Sequence, residues 1–341
     1  MTEPRSLQRA TIDDVALRAG VSTATVSRFI NGTARLSDQT AQRVRDAISA
    51  LKYVPHAAAR ALASSRTNTI GLILPELSAE FFPPLLRGIE SVTRQAGYDL
   101  LVYSTGERIE SSFDMRRPLG EQNTDGLLIF ADSLPPDELQ RYHDAQFPIV
   151  LLLETPRDGI EIPSVVFENK SGARQLVEHL IKVHGCRRIV FLQGPDGNQD
   201  SYWREQGYRS ALERQGIPFD PTLIARGNFD EQDARAAVMS LLVDGLQFDA
   251  VFAGDDESAI GAITALNGAG LRVPEFIAVV GFDDVPISRY FNPPLTTIRA
   301  PITAAGQIAA EQLLATMQTG SAESKLLPTE LIIRRSCGCA A

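Results

Sequence analysis

Seven short apolar runs recur beyond Arg66, and they fall into two series. "TIGLIL", "DLLVYS", "GLLIF" and "PIVLLL" form the first; "RRIVFLQ", "DAVFAG" and "IAVVGF" form the second. Stretches with helical, amphipathic spacing separate them. Runs that are apolar throughout, rather than alternating with polar residues, suit strands covered on both faces by helices, so parallel sheets are predicted. The two series also resemble each other. Gly88 and Gly97 in "LLRGIESVTRQAGYDL" stand nine residues apart, as do Gly207 and Gly216 in "REQGYRSALERQGIPF". Two similar doubly wound halves imply a cleft, and ligands of such sheets sit outside the carboxyl ends of the strands.

Those ends carry chemistry. Phe81 and Phe82 follow "LIL" within "PELSAEFFP"; Trp203 and Arg204 follow "IVFLQ" within "GPDGNQDSYWREQG". Asp255 follows "AVFAG", and Asp283 follows "AVVGF". An aromatic face stacks on the C–H side of a sugar ring, while arginine donates to its hydroxyls and aspartate accepts from them. Taken singly, each is more often a surface charge or a core aromatic. Their common position after successive strands is the informative feature.

The first 66 residues differ from the rest. They carry a net charge of +5 and the remainder −14, within a total of −9. A basic head on an acidic body suits a polyanionic partner for the head alone. Ile12, Val15, Ala16 and Ala19 fall at helical spacing before Gly20, a helix stop. Ser22 is placed to cap a second helix, on which Val26 and Ile30 share one face while Thr23, Ala24, Ser27, Arg28 and Asn31 share the other. That second face is small and polar, fit for a major groove, and Arg28 has the paired donors that guanine O6 and N7 accept. A third helix begins at Ser37, with Val44, Ile48 and Leu51 inward. The sequence therefore reads as helix-turn-helix.

At 341 residues, 44% apolar and 22% charged, the chain suits two or three globular units of roughly 100 to 200 residues. No apolar run approaches the roughly 18 residues of a membrane span, and no secretory h-region opens the chain, so a cytoplasmic location is expected. Three cysteines fit a reducing compartment. The terminal "CGC" has no histidine nearby in sequence, so no metal site is assigned, and no cofactor is expected. There is no Walker-type loop, no Ser-His-Asp ordering and no histidine cluster among four histidines, so the chain is not expected to be an enzyme.

"TIDDVALRAGVSTATVSRFING" resembles the DNA-binding head of the LacI/GalR (lactose-repressor) family, and the likeness continues through "KYVPHAAARALAS". "VFAGDDESAIGAITALNGAGLRVPEFIAVVGFDD", "PPLTTIRAP" and "LIIRRS" extend it from Thr11 to Arg335. The resemblance implies a small all-α helix-turn-helix head (1–54), a hinge helix (55–66) and an α/β body (67–341) of two similar doubly wound parallel-sheet subdomains, periplasmic-binding-protein-like. It assigns 67–167 and 296–322 to the first subdomain, and 168–295 and 323–336 to the second. It implies that Thr23, Ala24 and Arg28 read bases, and that Ser22, Ser27 and Asn31 lie nearer phosphates. In "PHAAARALASS", Pro55 to Ser65, shorter than the roughly 12 to 15 residues an isolated helix needs, Leu62 would wedge into the minor groove. Phe82, Arg204, Phe229, Asp255 and Asp283 match effector-contacting positions.

The expected function is that of a ligand-responsive repressor, a homodimer on a palindromic double-stranded operator, controlled by a sugar-like effector. Arg204→Ala is then expected to abolish the effector response while leaving the unliganded fold intact. Asp255 stands where relatives often have Asn or Ser; Ala63 replaces a basic residue, "SAEFF" an Asn-Pro pair, and Leu153-Glu154 blurs the position of a pocket acid. The alternatives are a sugar-modifying enzyme, a transport-type solute-binding protein, which would need export, and a constitutive DNA architectural protein.

Overall fold

Capping side chains mark out three helices at the start of the chain: α1 (Ile12–Ala19), α2 (Thr23–Ile30) and α3 (Asp38–Leu51). The computed structural model describes residues 10–33, 35–54, 66–106, 119–130, 133–156 and 159–340. They divide into two units, the boundary falling between Asn68 and Thr69. Thr11 and Asp14 form a reciprocal capping box at the start of α1: each side chain accepts from the other's backbone N–H, at 3.3 Å and 2.8 Å. Gly20 ends that helix in the left-handed region, φ 64°. Ser22 and Ser37 accept from Thr25 N and Thr40 N and so open α2 and α3. Val15, Ala16, Ala19, Val26, Val44 and Ala47 form the buried centre of this unit, with Ile30, Ile48 and Leu51 packed against it.

The second unit runs β1 (Thr69–Leu74), α4 (Phe82–Gln95), β2 (Asp99–Ser104), β3 (Gly126–Phe130), α5 (Pro136–Asp144), β4 (Ile149–Leu152) and β5 (Ser164–Phe167). It continues with α6 (Asn169–His184), β6 (Ile189–Gln193), α7 (Gln199–Arg214), β7 (Ile224–Arg226), α8 (Glu231–Val243), β8 (Ala250–Ala253) and α9 (Asp256–Gly268). It closes with β9 (Ala278–Asp283), β10 (Thr296–Arg299), α10 (Ile302–Thr319), β11 (Lys325–Leu327) and β12 (Glu330–Ile332). Two six-stranded sheets result, ordered β11-β5-β4-β3-β1-β2 and β12-β10-β9-β8-β6-β7. All recorded pairings are parallel except β10 with β12. Each sheet is the middle layer of one lobe.

The chain crosses between lobes at other places than the sequence suggests. Residues 296–299, expected in the first lobe, form β10 and pair with β9 in the second, Thr296 opposite Val280. Residues 325–327, expected in the second, form β11 and pair with β5 in the first, Lys325 opposite Val165. β-Branched Thr296, Thr297 and Ile298 suit one more buried strand beside β9. Only then does α10 cross back, laying Ala309, Ala310 and Leu313 into the first lobe's core. β11 follows on the same side.

The glycine repeat has a packing cause. A Cβ on Gly88 of α4 would lie 2.1 Å from the Thr303 carbonyl oxygen of α10, and one on Gly207 of α7 would lie 2.4 Å from the Lys170 carbonyl of α6. Both glycines let two helices touch backbone to backbone. Gly97 and Gly216 follow their helices at φ 77° and 65°, where L side chains are strained.

Candidate functional site

On α2 the turn after Gly20 aims one face inward and leaves the other bare. Val26 is fully buried, whereas Ser22, Thr23, Ala24, Arg28 and Asn31 are exposed and Ser27 is half-buried. The Asn31 side-chain amide donates to Ser27 Oγ at 3.4 Å, so these two hold each other along one turn. Among the described residues, the Arg28 side chain makes no hydrogen bond or ion pair within the chain. A free guanidinium one turn from a bare alanine gives this face both a donor fork and room for a groove wall. The hinge assignment, with Leu62, lies outside the described residues.

In the second unit, the carboxyl ends of eight strands, β1–β4 and β6–β9, converge on one cavity of about 310 Å³. Phe82, Arg204, Phe229, Asp255 and Asp283 all line it. Phe81, Phe82 and Phe130 make an edge-to-face trio, centroids 5.3 to 5.9 Å apart, on the first lobe's side. Opposite stands Phe229, whose ring fits only because its neighbours lack side chains: a Cβ on Gly194 would lie 2.3 Å from the ring, and one on Gly254 2.9 Å. Leu153, not Glu154, is in the wall. Trp203 is not: one residue from Arg204 on α7, it turns outward, 43% exposed, against Tyr202 and Lys170.

Strain gathers here as well. Leu153, Asn228, Phe229 and Asp283 line the cavity and have φ of 59°, 53°, 59° and 104°, half of the eight such non-glycine residues among those described. Backbone held in sparse regions is characteristic of ligand clamps.

Arg204 is 2% exposed and almost fully engaged by the protein. Nε donates to Asn169 Oδ1 at 2.9 Å, Nη1 to the Gly254 carbonyl at 2.6 Å and Nη2 to Asp283 Oδ1 at 3.0 Å. Asp200, one turn earlier on α7, lies 3.5 Å from Nη2, and the guanidinium stacks 3.9 Å from the Phe282 ring centre. Of its five N–H donors three are bonded to protein acceptors, and Nη2 also faces Asp200. The arginine therefore acts chiefly as a brace for two carboxylates.

The "DDE" run separates into three jobs. Asp255 caps α9, accepting from Ser258 N at 3.0 Å, and its other oxygen is left for the cavity. Asp256 is buried beneath, accepting from Val285 N, Ser288 Oγ and Thr297 Oγ1, and burial pushes its carboxyl well up. Glu257 accepts from Glu80 N at 2.7 Å and so links the two lobes across the cleft. Burial raises Asp255 to about 6, with Ser258 opposing and Asp283 reinforcing. It raises Asp283 to about 6 against the pull of Arg204, with Asp200 reinforcing. It raises Glu257 to about 7, eased by Glu80 N and reinforced by Asp255.

Residues 11–56 match the family described as bacterial regulatory proteins, lacI family, and residues 177–337 match the periplasmic binding protein-like domain. The HTH-type transcriptional regulator GalS of Salmonella typhimurium is 36% identical over 304 residues, 89% of either chain. This chain belongs to the LacI family. The ribose operon repressor of Halalkalibacterium halodurans is 32% identical over 328 residues, 96% of either chain. Among solved structures, the lac repressor dimer bound to operator and the anti-inducer ONPF superposes with a TM-score of 0.80 at 29% identity, covering 97% of this chain and 99% of that one. The CelR–cellobiose complex gives 0.69 at 30%, covering 96% and 100%.

As a LacI-family protein the chain is a DNA-binding transcriptional regulator that responds to a ligand, with the helix-turn-helix unit and the two-lobed unit as its two working parts. No helix among the described residues is long and apolar enough to cross a membrane. Several groups of this LacI-family cleft escape sequence reading. Asp200 and Asn169, which flank Arg204, carry no signal beyond the i, i+4 spacing of Asp200 and Arg204. The Gln199 side chain meets Thr155 through three hydrogen bonds of 2.8 to 3.2 Å, a second link between lobes made by residues 44 apart in sequence. The ground for setting aside "CGC" also fails. Two histidines, His179 and His184, lie against its thiols, brought there by the fold from over 150 residues away.

Proposed function

We propose that the protein is a repressor that binds a near-palindromic operator as a homodimer and is controlled by a neutral, hydroxyl-rich effector held in the cleft. The observation that carries this reading is the convergence of three acceptors, Asp255 and the Arg204-braced pair Asp283 and Asp200, on a cavity whose wall also carries Phe81, Phe82, Phe130 and Phe229. Ionised carboxylates accept hydroxyl protons and repel phosphate, and aromatic faces cover sugar C–H groups. Thr23, Ala24 and Arg28 are assigned to base edges, Ser22, Ser27 and Asn31 to nearby phosphates. Two-fold symmetry doubles the few contacts one head makes. Edge strand β2 supports a dimer, because Leu101, Val102 and Tyr103 are each more than a third exposed there. The segment 55–66 is the connection on which effector-driven lobe movement acts. The ligand leaves chemically unchanged, and the protein works in the cytoplasm.

A thermal-shift screen of the full chain tests the effector class. Neutral sugars, nucleosides and polyols are expected to raise Tm, sugar phosphates and polyamines are not; a ligand at a hundredfold its Kd adds about 2.7 kcal/mol. Stabilisation by sugar phosphates alone would contradict the reading, as would recovery of a chemically altered ligand.

The same site predicts a pH dependence. The ordinary values of 3.8 and 4.5 are raised to about 6 for Asp255 and Asp283 and about 7 for Glu257. Between those limits the folded state holds protons that the unfolded state has lost, so stability of the free protein falls as pH rises through that window and levels off above about 7. Hydroxyl donors bind the ionised form, so effector affinity is expected to move oppositely. It should rise roughly three- to tenfold per pH unit through the same range, with proton release. Calorimetry in buffers of different ionisation enthalpy measures this; proton uptake on binding would rule it out.

A further inference from the structure

We propose that His179, His184, Cys337 and Cys339 form a structural zinc site that fastens the end of the chain to α6. The four ligand atoms lie within 4.8 Å of one another. Cys337 Sγ is 3.6 Å from His179 Nε2, Cys339 Sγ is 3.6 Å from the same nitrogen, and Cys339 Sγ is 3.4 Å from His184 Nε2. A tetrahedral zinc with Zn–S near 2.3 Å and Zn–N near 2.05 Å has S···N edges of about 3.6 Å. The three S···N separations of 3.4 to 3.6 Å therefore match the edges that the ion requires.

Hydrogen bonding alone explains this cluster poorly. His179 Nε2 faces two sulfurs at the same distance, yet one ring nitrogen offers one lone pair or one N–H. A central cation uses all four lone pairs at once. The scaffold is also built to hold them. Ser336 is tied into the sheet by Oγ, which accepts from Thr296 N at 2.8 Å and donates to the Val279 carbonyl at 2.6 Å, so Cys337 beside it is fixed and 2% exposed. Gly338 then turns at φ 104°, a conformation side chains resist, and a Cβ there would lie 3.2 Å from the His184 ring. That turn points the second thiol at the same pair of imidazoles. Four protein ligands leave no open position, so the site stabilises and does not catalyse. It stands apart from the effector cavity, whose wall contains none of the four.

The test uses the full chain, purified without a histidine tag, in a non-thiol reductant and without chelator. Elemental analysis is expected to find about one zinc per chain, and Co²⁺ added to the stripped protein should give the intense visible absorption of a tetrahedral thiolate complex. Cys339→Ser and His184→Ala should each lose the metal, and Cys186→Ser should keep it. Chelation should lower the Tm of the unmodified chain and leave that of Cys339→Ser unmoved. Failure of the unmodified chain to retain zinc or develop the Co²⁺ spectrum would overturn the proposal, whatever the variants do. So would equal zinc retention by Cys339→Ser, or a Cys337–Cys339 disulfide persisting in reductant.

Discussion

Arg204→Ala is expected to abolish the effector response and also to destabilise the unliganded protein, by about 3 to 5 kcal/mol near neutral pH. The second effect corrects the sequence-based expectation of an intact free fold. Arg204 was assigned to the effector, but its guanidinium is buried and bonded to Asn169, the Gly254 carbonyl and Asp283, with Asp200 beside it. Removing it strands two buried carboxylates. The cost should shrink toward about pH 5, because Asp283, already raised by burial, then takes a proton in the folded state. Urea unfolding at two pH values and operator binding with and without effector measure both parts. A variant as stable as the parent at neutral pH would show that the brace carries no load.

Arg28→Ala is expected to cost roughly 1 to 3 kcal/mol on the specific operator and much less on random DNA. The Arg28 side chain is exposed and has no intrachain partner among the described residues, so its loss leaves the core around Val26 untouched. Competition binding at fixed salt separates the two terms. Equal losses on both DNAs would place Arg28 on a phosphate, and its base-reading role would be lost.

Local chemistry was legible in the sequence, and long-range convergence was not. Ser22 and Ser37 could be read as helix openings because an N-cap needs only its own next turn. Six of the seven apolar runs announced buried strands because burial on two faces leaves no polar alternation, whereas "DLLVYS" became the exposed edge strand β2. By contrast "TTIR" reads equally well as a strand for either lobe, and only pairing with β9 decides. Phe82, Arg204, Asp255 and Asp283 could be placed at strand ends and Phe229 came only through the resemblance, yet nothing local says that Arg204 would be used up by protein acceptors. Glu257 and Glu80, 177 residues apart, meet only because both lobes present their strand ends to one cleft. His179 and Cys337 meet because β12 runs antiparallel to β10, which carries the tail back to α6.

The interleaved lobes have a consequence for biosynthesis. The first lobe's edge strand β11 and covering helix α10 come from residues 302–327, and the second lobe's outer strand β12 from 330–332. A nascent chain emerging from the ribosome can assemble most of either half, but the first has its full set of strands only after Leu327 and the second only after Ile332. Premature stops between residues 302 and 325 should therefore spoil both halves together.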